Sequence, residues 1–184
     1  MRNPFLMQVT GSDTMSLILA LNRRGNRRGH WLCLLFVFSL FSCDSSRLYD
    51  ENFDFEDRSW MTSVEPEFEF YIDDIDVGYD LFVNVRNETS YPNANLYFTY
   101  FLKDSTGRVL EEKLISEFLF DSKSGKPFGK TVLGDIFDHR FSLLQNYRFP
   151  QPGKYTVSYA HSMRTDTLRG VLAIGLRVDR HLPN

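Results

Sequence analysis

The chain has 184 residues, of which 17 Phe, 9 Tyr and 2 Trp make an aromatic share that excludes a disordered or low-complexity protein and suits a single domain. Its formal charge is −3, but five arginines and one aspartate precede residue 31, which leaves an acidic body of 16 basic and 23 acidic residues. Such a body lacks the clustered cations that phosphate backbones require and excludes nucleic acid as the partner. The two cysteines, Cys33 and Cys43, sit in one apolar stretch, which excludes a disulfide framework and a cysteine-ligated zinc site.

The front of the chain reads as an address. Arg23, Arg24, Arg27, Arg28 and His30 precede Trp31 to Phe41, eleven residues without a charge. That is the length of a signal-peptide core and too short to span a bilayer. Residues 1–22 make a long prelude to it, and Met15 offers an internal start. Residues 1–42 are therefore expected to be a signal peptide. Leu40, Phe41, Ser42 and Cys43 fit a bacterial lipoprotein cleavage box, with an apolar residue three before the cysteine and a small one just before it. The expectation is that the Cys43 thiol receives diacylglycerol, that Cys43 becomes the first mature residue, and that the partner there is membrane lipid. Two or three acyl chains such as palmitate hold stably where one holds only marginally.

Residues 43–57 are poor in apolar residues and without period, and read as a lipidated tether ahead of a domain over 58–184. Residues 44–80 hold 13 acids against Arg47 and Arg58, whereas 81–184 hold 10 acids against 14 bases, so the two parts should attract. Asp73, Asp74 and Asp76 lack the glycine and distal glutamate of a helix-loop-helix calcium loop and read as a solvated hairpin turn.

Period-two alternation then dominates. It runs through Glu67 to Phe70, Leu81 to Arg86 and Leu96 to Leu102, on through Val109 to Phe120, and then through Lys154 to His161 and Val171 to Val178. Turns fall at Asp104 to Gly107 and at Pro152, Gly153. Ile136 to Gln145 reads either as a helix or as an extended segment. The pattern predicts an all-β chain: one antiparallel β-sandwich, immunoglobulin-like or jelly-roll-like, of about seven to eight strands.

Chemistry is sparse. No phosphate loop, serine elbow or zinc-protease histidine pair occurs, so no catalytic residue, metal or cofactor is assigned. Asp135, Asp138 and His139 are the densest polar group, but on an extended chain Asp138 and His139 point to opposite faces, and turn chemistry explains the group better than ligation. His161 alternates with Tyr155, Val157 and Tyr159 and reads as a satisfied core or edge histidine. The segment 121–138 is longer than an ordinary hairpin loop, and its Asp121, Lys123, Gly125, Lys126, Gly129, Asp135, Asp138 and His139 make it the candidate interaction loop.

Several runs carry a resemblance: Cys43 to Arg47 with Tyr49, Phe118 to Asp121, Gly125 with Pro127 and Gly129, Leu133 to His139, and Phe149 to Tyr155. Together they resemble the gliding-motility lipoprotein GldH family of Bacteroidetes. The resemblance implies a cell-envelope lipoprotein, anchored to a bacterial membrane and facing the periplasm rather than the medium. It also implies a role in surface gliding tied to type IX secretion, with other envelope proteins of that machinery as partners. It brings no enzymatic activity and matches only Cys43 to a defined chemical role. The favoured expectation is a non-catalytic interaction module, which the aromatic richness suits because Tyr and Phe anchor interfaces. The alternative is a polysaccharide-binding or weakly hydrolytic sandwich with Asp135 and Asp138 as its carboxylate pair.

Overall fold

A computed structural model describes residues 46–182, and among these the regular elements are all strands apart from one short 3-10 turn at Glu56–Arg58. Strand β1 covers Arg47–Asp54, β2 Ser59–Met61, β3 Glu67–Ile72 and β4 Tyr79–Glu88. The central hairpin joins β5 (Asn95–Asp104) to β6 (Val109–Phe118), followed by β7 (Lys130–Leu133) and β8 (Ile136–Tyr147). The chain closes with β9 (Gly153–His161), β10 (Thr167–Arg169) and β11 (Val171–Arg180).

A five-stranded sheet runs in the order β1-β11-β4-β8-β7, and a four-stranded sheet in the order β3-β9-β5-β6. The first half of the chain pairs with the second in reverse: β1 with β11, β3 with β9, β4 with β8, β5 with β6, all antiparallel. This is one long hairpin, folded about the β5–β6 turn and rolled up. That topology is the jelly roll, and it decides between the two sandwich types left open by the sequence. The eight strands of the roll match the expected seven to eight, and β2, β7 and β10 are short additions of three or four residues.

Alternation explains the layers. In β4, Tyr79, Leu81, Val83, Val85 and Asn87 are buried while the residues between them are not. Phe98, Tyr100 and Leu102 of β5 and Tyr155, Val157 and Tyr159 of β9 face them from the other sheet. Ile136 to Gln145 resolves as strand: Phe137, His139 and Leu143 are buried at period two. Most of the aromatic richness is spent here rather than at an interface. Phe149 contacts the rings of Phe70, Tyr79, Tyr147 and Tyr155 with centroids 4.5–5.9 Å apart. Tyr79 and Tyr155 donate their hydroxyls to the carbonyls of Asp74 and Gln151, so burial leaves these groups satisfied.

Two expectations need correction. The stretch 43–57, expected as a tether, supplies β1, which pairs with β11 along Arg47 to Asp54 and rests Tyr49 on Phe70. An acidic edge strand with one core-facing row has too few apolar residues to show a period. The segment 73–78 is not a hairpin turn but the passage from β3 in one sheet to β4 in the other, with Asp73 paired to Arg180. The expected attraction between chain parts is realised in the pairs Arg177–Asp50, Arg180–Asp73, Lys154–Glu69 and Lys103–Glu67.

Candidate interaction surface

The loop after β6 folds back at once. Phe120 bridges Pro127, the Asp121 amide donates to the Lys126 carbonyl (2.8 Å), and Phe128 N–H donates to Leu119 O (3.0 Å). At the tip, Asp121 Oδ1 accepts from the amides of Lys123 (3.1 Å) and Ser124 (2.7 Å) and from the Ser124 hydroxyl (2.8 Å). These bonds hold its carboxyl below the usual carboxylate range, led by the Ser124 amide. Gly125 takes a left-handed φ of 68° to close the turn. Asp121 and Gly125 are thus turn-makers, and they present Lys123 and Lys126 at an exposed tip.

The chain then enters β7, the edge of the five-stranded sheet, and turns through Gly134 and Asp135 into β8. Asp135 contributes its carbonyl, which accepts from the amide (2.9 Å) and hydroxyl (3.2 Å) of Thr89. Asp138 and His139 diverge as strand geometry requires. Asp138 faces outward and gives both carboxylate oxygens to Arg86 at 2.7 and 2.9 Å, its cross-strand neighbour in β4. His139 faces inward opposite Val85, is 6 % exposed and stacks on Phe141. Burial lowers its pKa, and Nε2 makes no hydrogen bond. Gly129 explains its position, since a Cβ there would lie 2.6 Å from His139 Nε2 and 2.8 Å from the Asp138 carbonyl.

Beside Arg86 and Asp138 the outer face of this sheet carries a second polar chain. Arg140 Nε donates to Asn84 Oδ1 (2.8 Å), and Asn84 Nδ2 donates to Asp50 Oδ1 (3.2 Å). A groove of about 830 Å³ runs over these residues, bounded by Phe82, Phe128 and Lys130.

The sequence reading missed three residues that the fold puts forward. Phe128, Val132 and Leu133 are 61, 51 and 74 % exposed, on the same segment as the exposed Lys123, Lys126 and Lys130, whose ammonium groups make no ion pair among the described residues. The available signal was the run Thr131, Val132, Leu133 just before a glycine turn. His161 is buried as expected, edge-on to Trp60, but neither ring nitrogen makes a well-formed hydrogen bond, and burial lowers its pKa. Among the described residues no group of three His, Cys, Asp or Glu side chains is placed to hold a metal ion. Cys43 lies outside the described residues.

Comparison with known proteins supports the family expectation. The GldH lipoprotein profile matches residues 47–178. A gliding motility lipoprotein GldH homolog of Christiangramia forsetii is 30 % identical over 166 residues, covering 83 % of this chain and 98 % of its own. Gliding motility lipoprotein GldH of Flavobacterium johnsoniae is 26 % identical over 156 residues, covering 81 and 94 %. Among solved structures, the VP2 subviral particle of infectious bursal disease virus aligns with a TM-score of 0.41 at 16 % identity, over 76 % of this chain and 34 % of that one. With a profile that spans the roll from the first residue of β1 to Val178 in β11, and relatives matched over almost their whole length, the chain belongs to the GldH lipoprotein family.

Proposed function

We propose that the protein is an acylated envelope component of a gliding-motility machinery linked to type IX secretion, and that it works by binding other envelope proteins rather than by catalysis. Cys43 carries the lipid, and the roll faces the periplasm. The contact is made by the segment 121–138. One observation carries this reading: a single segment exposes Phe128, Val132 and Leu133 together with three lysines that make no ion pair among the described residues, and its backbone is tied down at Asp121, Phe128 and Asp135. Apolar anchors ringed by charge, on a pre-ordered loop, are what a docking surface needs. Reversal of charge at Lys123 and Lys126 should leave the domain folded, because exposed substitutions change stability by less than about 0.5 kcal/mol. Gliding and co-purification with envelope partners should fall; normal gliding at normal abundance would move the contact elsewhere.

A sugar-binding reading has one observation in its favour, the groove bounded by Phe82 and Phe128 and floored by Asn84, Asp138 and Arg140. Its hydrolytic form is weakened by Arg86, which takes both oxygens of Asp138. Glycan affinity that falls in Phe128→Ala, with gliding unchanged by the lysine reversals, would favour it.

A further inference from the structure

The roll has two ends. At one, β1 begins with Arg47 beside Asp179, β4 begins with Tyr79, and β8 ends at Tyr147. The passages 73–78, 105–108 and 148–152 lie there. At the other end are the Gly134 turn and the hairpin of the segment 121–138. Ten-residue strands such as β4 separate them by about 33 Å.

Because β1 starts at Arg47, only Asp44, Ser45 and Ser46 stand between Cys43 and the folded sheet. Even fully extended, four residue steps reach about 14 Å. The end that holds Arg47 therefore cannot leave the neighbourhood of a bilayer that holds acyl chains on Cys43. That same end exposes Tyr71, Ile75, Val109 and Leu182. Its scaffold is held by hydrogen bonds: His181 N–H donates to Gly78 O (2.8 Å), Arg148 Nη1 to Asp76 O (2.8 Å), and Arg180 Nη2 pairs with Asp73 (3.2 Å).

We infer that the 73–78 end of the roll is a second membrane contact, seated on the headgroup layer of the bilayer that holds Cys43, so that the domain stands upright and carries the 121–138 hairpin outward. An aromatic and three aliphatic side chains suit the interfacial zone, where rings and short apolar chains rest at headgroup level. Acidic Asp74 and Asp76 keep the contact shallow, so the occupant is the headgroup layer and not the acyl core. A domain lying on its side would instead press Leu114 and Phe118 of β6, both exposed on the four-stranded sheet, onto the lipid.

The inference rests on acylation of Cys43, and the test separates the two. Full-length protein matured in a bacterial host, carrying a single added cysteine at Ile75, Leu114 or Val132 labelled with a nitroxide, is reconstituted in phosphatidylethanolamine–phosphatidylglycerol vesicles. Mass spectrometry first establishes the acyl chains on Cys43. Lipid-dissolved oxygen should relax the label at Ile75 several-fold more than a water-soluble nickel chelate does, with the reverse at Leu114 and Val132. Insertion of a long Gly-Ser stretch before Arg47 should not change the pattern if the end binds lipid by itself. A lipid signal at Leu114 or Val132, or an aqueous label at all three sites in acylated protein, overturns the seating and leaves the anchor standing. An unacylated Cys43 in wild-type protein removes the anchor and the seating with it.

Discussion

At the scale of single residues, the two buried histidines set the response to acid. Burial holds the imidazoles of His139 and His161 below their ordinary pKa, so the native state keeps them neutral. The unfolded chain protonates them at about 6.5. Their contribution is therefore intact above that value and is lost as pH falls below it toward the native pKa. Each proton so taken up by the unfolded chain alone tilts stability by about 1.4 kcal/mol per pH unit. Urea midpoints should fall between pH 7.5 and 5.5, and His161→Phe should flatten that fall because its ring faces Trp60 and makes no well-formed hydrogen bond. An unchanged slope in that variant would show that the ring gains its proton without cost. Gly129 offers a steric counterpart. In Gly129→Ala the new Cβ meets both the imidazole of His139 and the Asp138 carbonyl, so thermal unfolding should report a loss of about 1–3 kcal/mol. Sequence reading selected Gly129 and His139 as parts of one loop, but not this contact: it exists because β7 returns along β8 and brings residue 129 alongside residue 139, which spacing alone does not reveal.

At the scale of elements, legibility followed burial. The strands with a wetter and a drier face, β3, β4, β5 and β9, were readable because alternation is the pleat itself, whereas β11, buried on both faces from Ala173 to Val178, showed itself by its apolar run. The edge strand β1 was not, since Arg47–Asp54 presents mostly exposed, acidic residues and only Leu48 and Tyr49 reach the core as half-buried side chains. Charges on edges also guard against stray pairing. In β6, Glu111, Lys113 and Glu117 stand opposite the buried Leu102, Tyr100 and Leu96, and burial raises the Glu117 carboxyl. Because β1 covers the buried flank of β11, a chain beginning at Glu56 should lose on the order of 3 kcal/mol from Leu48, Tyr49 and the uncovered strand. Residues 47–54 should resist protease in the native protein. Cleavage there at the rate of an unfolded peptide, with unchanged urea stability of the shortened chain, would restore the tether reading.

At the scale of the whole molecule, one long rolled hairpin explains why the acidic first part and the basic second part of the sequence belong together: the β1–β11 and β3–β9 pairings set one against the other, as in Arg177 with Asp50 and Lys154 with Glu69. The core of the described residues closes where β1 pairs with β11 and rests Tyr49 on Phe70. Anchoring and folding should then be separable. Cys43→Ser should abolish acyl labelling and membrane retention, while the protein obtained keeps the melting temperature and strand-dominated circular dichroism of the acylated form. Gliding should be lost although the fold is intact, because a free domain no longer holds its 121–138 loop at a fixed height above a membrane. Metabolic labelling with a fatty acid, fractionation and thermal melts read the three consequences independently. A melting temperature that drops with the lipid would mean that the membrane contributes to the fold, and retained gliding would mean that the anchor is not what positions the domain.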